Sequence, residues 1–274
     1  MQEISKLPRE SWTGIKIILA DIDDTITSDG RLTSEAYCAL EDLQKAGFIV
    51  IPVTGRSAGW CDHIARMWPV DAIVGENGAF YFRYDHDTKK MHHYFCQSKV
   101  ERAINTEKLR QIGADILTKV PGSALASDQP FRFTDFAIDF AEDVDPLPIN
   151  EIKKIAAIAK SKGATAKISS IHVNCWFGEH SKLATSTLLL SECFNVDMDT
   201  IQDASMFIGD SPNDETMFGY FKHSVGVANI LESSAFEFKR PAFVTKAKGG
   251  SGFAEVANHL LRSRKPSEAE EAVR

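Results

Sequence analysis

The polarity pattern of this chain alternates between short apolar runs and longer periodic stretches. Residues 15–20 read Ile-Lys-Ile-Ile-Leu-Ala and run straight into Asp21, Asp23 and Asp24. A short, nearly continuous apolar run rich in β-branched residues suits a strand buried on both faces, as in a parallel sheet. Thr33 to Ala46 then places Ala36, Leu40 and Leu43 on one helical face, with Gly47 able to close the helix. Phe48–Val53 reads as the next strand, Ser57–Trp68 as a helix and Ala72–Val74 as a third strand. This βαβαβ order predicts an α/β fold with a parallel sheet.

The pattern changes after residue 80. Phe80–Tyr84 and His92–Phe95 read as a hairpin around a polar turn, followed by a helix from Val100 to Lys119 and a loop over Gly122–Pro130. Phe136–Phe140 alternates as a strand, Ile149–Lys160 reads as a helix, and Lys167–Phe177 as one long strand. Paired strands with two helices predict an inserted α+β unit over 80–178, between core segments 12–79 and 179–262. The α/β order resumes with a helix over Ser181–Phe194, a strand over Met206–Gly209, a helix over Pro212–Tyr220 and a strand over Ser224–Val227. Phe243–Thr245 and Phe253–Leu261 complete it, and the charged tail, 263–274, is expected to be mobile.

At 274 residues and 43% hydrophobic content, the chain can bury a substantial core. Its net charge of −7 argues against non-specific nucleic-acid binding. No stretch reaches the roughly 18 apolar residues of a membrane span, and the polar first ten residues lack the apolar core of a signal peptide. Five scattered cysteines without a Cys-x-x-Cys pair read as free thiols. These features predict a cytoplasmic protein with no nucleic-acid or membrane partner. Oligomeric state is not written in these patterns.

Five local signals carry candidate chemistry. Asp21 and Asp23 would point the same way if their strand continued, so one carboxylate could attack an electrophile while the other manages protons; an Asx-turn ending the strand is the plain alternative. Their concentrated charge at a strand's carboxyl end calls for a hard divalent cation such as magnesium. Thr54-Gly55-Arg56 offers a hydroxyl and backbone N–H groups to a phosphate oxyanion, or simply caps a helix. Lys182 falls in the first turn of a helix, where a cation opposes the helix dipole unless it faces an anion. In Gly209-Asp210-Ser211-Pro212-Asn213-Asp214, Ser211 and Pro212 suit a helix start, whereas Asp210 precedes the cap and reads as a metal ligand. Finally, His172, Asn174 and Trp176 share one face of a strand and could line a polyol or sugar site, or face solvent.

Together these segments resemble the haloacid dehalogenase (HAD) superfamily of phosphohydrolases: Asp-x-Asp-x-Thr, Thr-Gly-Arg, an insert, a lysine, then Gly-Asp-Ser-Pro-Asn-Asp, in that order over about 200 residues. The insert's position resembles the α+β cap of the Cof-type, sucrose-phosphatase and trehalose-phosphatase branch. The resemblance implies a Rossmann-like core plus that cap, and an Mg2+-dependent phosphatase acting on a small phosphorylated metabolite, a sugar or glycosyl phosphate. A sugar phosphomutase and a non-catalytic sugar-phosphate-binding protein are the alternatives. By matching position, Asp21 is the nucleophile and Asp23 the acid and base, which requires Asp23 to hold a proton when the ester arrives; anionic neighbours and burial would favour this. Thr54, Gly55, Lys182 and Asn213 would bind phosphate, and Asp21, the Asp23 carbonyl, Asp210 and Asp214 the metal. Arg56 and Asn77 would touch substrate; for Asn77, just before the insert, a hinge or an ordinary Asn-Gly turn reads equally well.

Overall fold

A computed structural model describes residues 1–264. In chain order its strands are β1 (Gln2–Glu3), β2 (Ile17–Ala20), β3 (Ile49–Pro52), β4 (Ile73–Gly75), β5 (Phe80–Asp85), β6 (Lys90–Phe95), β7 (Ala124–Leu125), β8 (Phe136–Asp139), β9 (Thr165–Ile168), β10 (His172–Trp176), β11 (Ser205–Gly209), β12 (His223–Gly226) and β13 (Phe243–Val244). The helices are α1 (Ser34–Lys45), α2 (Ala58–Met67), α3 (Lys99–Lys119), α4 (Ile149–Ser161), α5 (Lys182–Phe194), α6 (Ile201–Ala204), α7 (Glu215–Tyr220) and α8 (Gly249–Arg264).

A six-stranded sheet in the order β1-β13-β12-β11-β2-β3 forms the core, with every pair parallel. Every residue of β2 and β11 is buried, as expected for strands covered on both faces by helices. One apolar layer joins α1, α2 and α8 to the sheet through Leu40, Ile64 and Phe253. The other packs Leu189, Met217 and Ile230 against Leu19 and Phe207. The chain leaves β2 towards β3 on one side, while β11 lies on the other. Asp21 therefore stands at a topological switch point, where open parallel sheets gather their ligand groups.

Several expected elements take a different form. The Phe80–Phe95 hairpin is expected in the insert, yet β5 pairs with β4, and a Val53–Val74 bridge links β4 to the parallel sheet. Phe80 and Phe82 enter one core layer and Tyr81 the other, because alternate side chains of a strand point to opposite faces. The separate apolar cluster of the insert comes from α3, β8, α4, β9 and β10, including Leu109, Ile138, Ile155 and Val173. The long strand over Lys167–Phe177 is two antiparallel strands joined by a tight turn. Ser169 makes the turn: its N–H donates to the His172 carbonyl (2.9 Å) and its hydroxyl accepts the His172 N–H (3.0 Å). The helix expected over Pro212–Tyr220 is a 3-10 turn, Pro212–Asp214, leading into α7. The tail expected from Ser263 begins within α8; residues 265–274 lie outside the described residues.

Candidate active site

Two adjacent strand ends build the acidic cluster. β2 and β11 pair in register from Ile17–Ser205 to Ala20–Ile208, and the Asp21 N–H donates to the Ile208 carbonyl at 2.9 Å. Asp21 and Asp210 consequently leave the sheet side by side. Lys182 reaches them from the first turn of α5, whose N-cap Ser181 accepts the Ala184 N–H. Its Nζ donates to Asp21 Oδ1 (2.6 Å) and Asp214 Oδ1 (2.8 Å). This resolves the dipole conflict: the lysine is only 3% exposed and faces two carboxylates. Asp210 accepts from Thr25 Oγ1 (3.3 Å) and Asn229 Nδ2 (3.1 Å). Ser211 Oγ donates to Asn213 Oδ1 at 2.8 Å, within the turn that carries Asp214.

One lysine does not neutralise three buried acids. Asp21, Asp210 and Asp214 each offer an oxygen, and these oxygens lie within 4.8 Å of one another. Burial pushes the Asp21 carboxyl up to about 8 against the opposing pull of Lys182, with Asp214 and Asp23 adding to the rise. Burial, then Asp21 and Asp214, also raise Asp210 well above the ordinary range. Lys182 is itself shifted upward: its burial opposes the charge, but Asp21 and Asp214 outweigh it. An all-oxygen set with surplus negative charge fits a hard divalent cation.

Asp23 occupies a different environment from the one expected. Its nearest partner is a cation, not another acid: Arg56 Nε lies 2.9 and 3.1 Å from its two oxygens and Nη2 lies 2.7 Å from Oδ1. The same guanidinium reaches Glu142 Oε1 at 2.6 Å, and Glu142 Oε2 lies 2.9 Å from His172 Nε2. Arg56 thus joins a core acid to a residue of the insert. Burial works to raise the Glu142 carboxyl, but His172 and Arg56 hold it down at about 2. Thr54 is fully buried, and its hydroxyl accepts the Arg56 N–H at 3.0 Å, leaving its own proton free to donate.

Behind this loop lies a buried, self-satisfied seam. Arg132 pairs with Asp128 (2.8 Å) and Asp135 (2.9 Å) and donates to the Gly55 carbonyl at 2.8 Å. The Glu76 carboxylate accepts backbone N–H groups of Ala58, Phe133, Thr134 and Asp135. Glu76 and Asn77 both have left-handed backbones, φ 42° and 57°. The four N–H bonds to Glu76 offset such strain. Gly78 follows at φ 100°, and a Cβ there would sit 2.1 Å from the Ser181 carbonyl oxygen, so the chain before β5 touches the N-cap of α5 at this glycine.

The expected face of β10 does point at the core. A Cβ on Gly55 would lie 3.2 Å from Asn77 Nδ2 and 3.3 Å from Asn174 Oδ1. Asn174 donates to Asp135 (2.8 Å), His172 sits by Glu142, and Trp176 stacks on His180 at 5.5 Å between ring centres. None of His172, Asn174 and Trp176 lines the cavity of about 470 Å3 that runs between core and insert past Asp24, Asp210, Ser211, Asn229, Ile168 and Phe140.

The profile of haloacid dehalogenase-like hydrolases matches residues 18–234. The chain belongs to this family. No curated protein sequence matches it, but solved structures share the fold. A HAD/COF-like hydrolase from Plasmodium vivax superposes with a TM-score of 0.67 at 18% identity, covering 92% of this chain and 97% of its own. The protein 0175 of Thermoplasma acidophilum gives 0.66 at 17% identity, covering 90% and 99%. A HAD subclass IIB sugar phosphatase gives 0.60 at 13% identity, covering 90% and 100%.

Within this HAD-like hydrolase, sequence reasoning passed over Glu142 and Asn229. Asn229 Nδ2 bridges the Asp24 carbonyl (3.0 Å) and Asp210. It stands three residues beyond β12, so the strand-end rule that selected Asp21 could have found it. Glu142 likewise stands three residues beyond β8, but nothing local ties it to Arg56, 86 residues away in sequence.

Proposed function

We propose that this hydrolase is an Mg2+-dependent phosphatase that cleaves small phosphate monoesters, with a sugar phosphate as the preferred class. The observation that carries this reading is the Asp21–Lys182–Asp214 cluster beside Asp210 at the ends of adjacent parallel strands. An Asp21 oxygen would attack phosphorus, and the P–O bond to the leaving alcohol would break as Asp23 delivers a proton to that oxygen. Asp23 would then take a proton from the water that hydrolyses the aspartyl phosphate. Lys182, the Thr54 hydroxyl and N–H groups of the Gly55 loop would hold the phosphoryl oxygens. Asp21, Asp210, Asp214 and the Asp23 carbonyl would hold Mg2+, which supplies charge neutralisation to the phosphoryl group. For the acid step, Asp23 must leave Arg56, whose guanidinium would keep its existing pairing with Glu142.

The sugar class draws on two fold neighbours, the subclass IIB sugar phosphatase and a trehalose-6-phosphate phosphatase related protein. We place the insert that caps the site at 98–177, starting from the α3 N-cap Ser98. A phosphate-ester panel with Mg2+, read as free phosphate, tests the function. Phosphate release that stops in Asp21→Asn supports it. Release that continues in that variant removes the covalent route, and isomer formation without phosphate release would make the protein a mutase.

A further inference from the structure

We infer that the leaving group of the substrate carries its own negative charge, a carboxylate or a second phosphate, and that Lys167 on the insert recognises it. This rests on the phosphatase reading above and specifies its substrate. Lys167 lies on β9 directly opposite Asn174 of β10, so the two side chains share a sheet face. That face looks onto the Thr54-Gly55-Arg56 loop, because Asn174 Oδ1 lies 3.3 Å from the position of a Gly55 Cβ. β9 also packs beside the Pro212–Asp214 turn of the acidic cluster. The residues after Lys167, namely Ile168, Ser169 and Ser170, line the cavity that reaches Asp210. Lys167 therefore shares the face of the insert that meets the Thr54-Gly55-Arg56 loop.

Its chemistry is unspent. Lys167 is half-buried, and its ammonium makes no hydrogen bond or ion pair among the described residues. Two unpartnered donors lie near it. Trp176, its diagonal neighbour on the same face, is 3% exposed and its indole N–H, a donor only, has no acceptor. Asn77, 3% exposed at the Gly55 loop, has an amide nitrogen without a partner. Lys182 already serves the transferring phosphoryl group through the Asp21 cluster. A neutral sugar would bring hydroxyls that donate as well as accept, and would leave the ammonium uncompensated. An anionic leaving group supplies acceptors and charge together.

The test compares glucose 6-phosphate with 6-phosphogluconate, which adds a carboxylate, and glucose 1,6-bisphosphate, which adds a phosphate. For the wild type, kcat/KM is expected to be at least about 10-fold higher for one of the charged esters. Lys167→Met should bring that ratio to about one, and Lys167→Arg should retain most of it. A wild type with no such preference, or a Lys167→Met loss equal for all three esters, overturns the inference. Binding of the leaving alcohol gives a readout free of turnover. Gluconate should raise the Tm of the wild type more than glucose does, and this difference should vanish in Lys167→Met. If no ester releases phosphate, the phosphatase reading fails; a gluconate shift independent of Lys167 instead fails this inference alone.

Discussion

Two buried charge clusters lie within one molecule, and they are balanced in opposite ways. In the seam, Arg132 faces Asp128 and Asp135, and Glu76 takes four backbone N–H groups. In the acidic cluster, a single lysine faces Asp21 and Asp214 while Asp210 is held by neutral donors. Burial raises acids in both places, Glu76 to about 7 with Asp135 adding to the rise, and Asp21 to about 8. The difference lies in what opposes it. Glu76 has the Arg132 charge and a full set of N–H donors, whereas Asp21, Asp210 and Asp214 retain surplus negative charge. A satisfied polar network holds a structure together; an unsatisfied one is a site for something that arrives.

Substitutions can break the comparison directly. The largest effect belongs to Asp21→Asn, which should lower phosphate release by at least about 1,000-fold. It should leave Tm unchanged or slightly raised, since it removes one of three crowded acids. A large Tm loss would assign the cluster to structure. Arg132→Met should do the reverse: stranding two buried acids costs about 3–5 kcal/mol, a Tm loss on the order of 10 °C. A thermal melt with unchanged Tm would show that the seam is not holding core and insert.

Mg2+ sharpens the contrast further. At about 100 times its dissociation constant it should stabilise the wild type by about 2.7 kcal/mol. Asp210→Ala should abolish that shift, and Asp128→Asn, in the seam, should keep it; a shift surviving in Asp210→Ala would put the cation elsewhere. The smallest effect is expected at Glu142, which is partly exposed and shares Arg56 with Asp23. Glu142→Gln should cost about 1 kcal/mol or less. Because the folded protein holds this carboxyl at about 2, below its ordinary range, its contribution is present above pH ~4.3 and is lost as pH falls towards 2. Melts of wild type and Glu142→Gln should therefore differ at pH 6 and converge near pH 2.

Much of the core was legible along the chain. The strand before Asp21, the Ser181 cap that delivers Lys182 and the strand before Asp210 all follow from local patterns of polarity and capping. The one-strand reading of Lys167–Phe177 failed because it ran across Ser169-Ser170, where two polar residues in a row shift the alternation and put Ile168 and Ile171 out of phase. The pairing of the Phe80 hairpin with β4 is hidden in the sequence for a different reason. A strand pattern records that alternate faces are buried, not which layer buries them.

The sequence by itself determined the parallel α/β core and the strand ends that carry Asp21, Thr54 and Asp210, since burial period and capping are properties of neighbouring residues. Only the tertiary structure decided that Lys182 bridges Asp21 and Asp214, that Arg56 clasps Asp23 while reaching Glu142, and that the face of β10 meets Gly55. These pairings join residues tens to more than a hundred positions apart. Charge acts through space over a few ångströms, so its balance is fixed only when the sheet register and the docking of the insert bring those residues together.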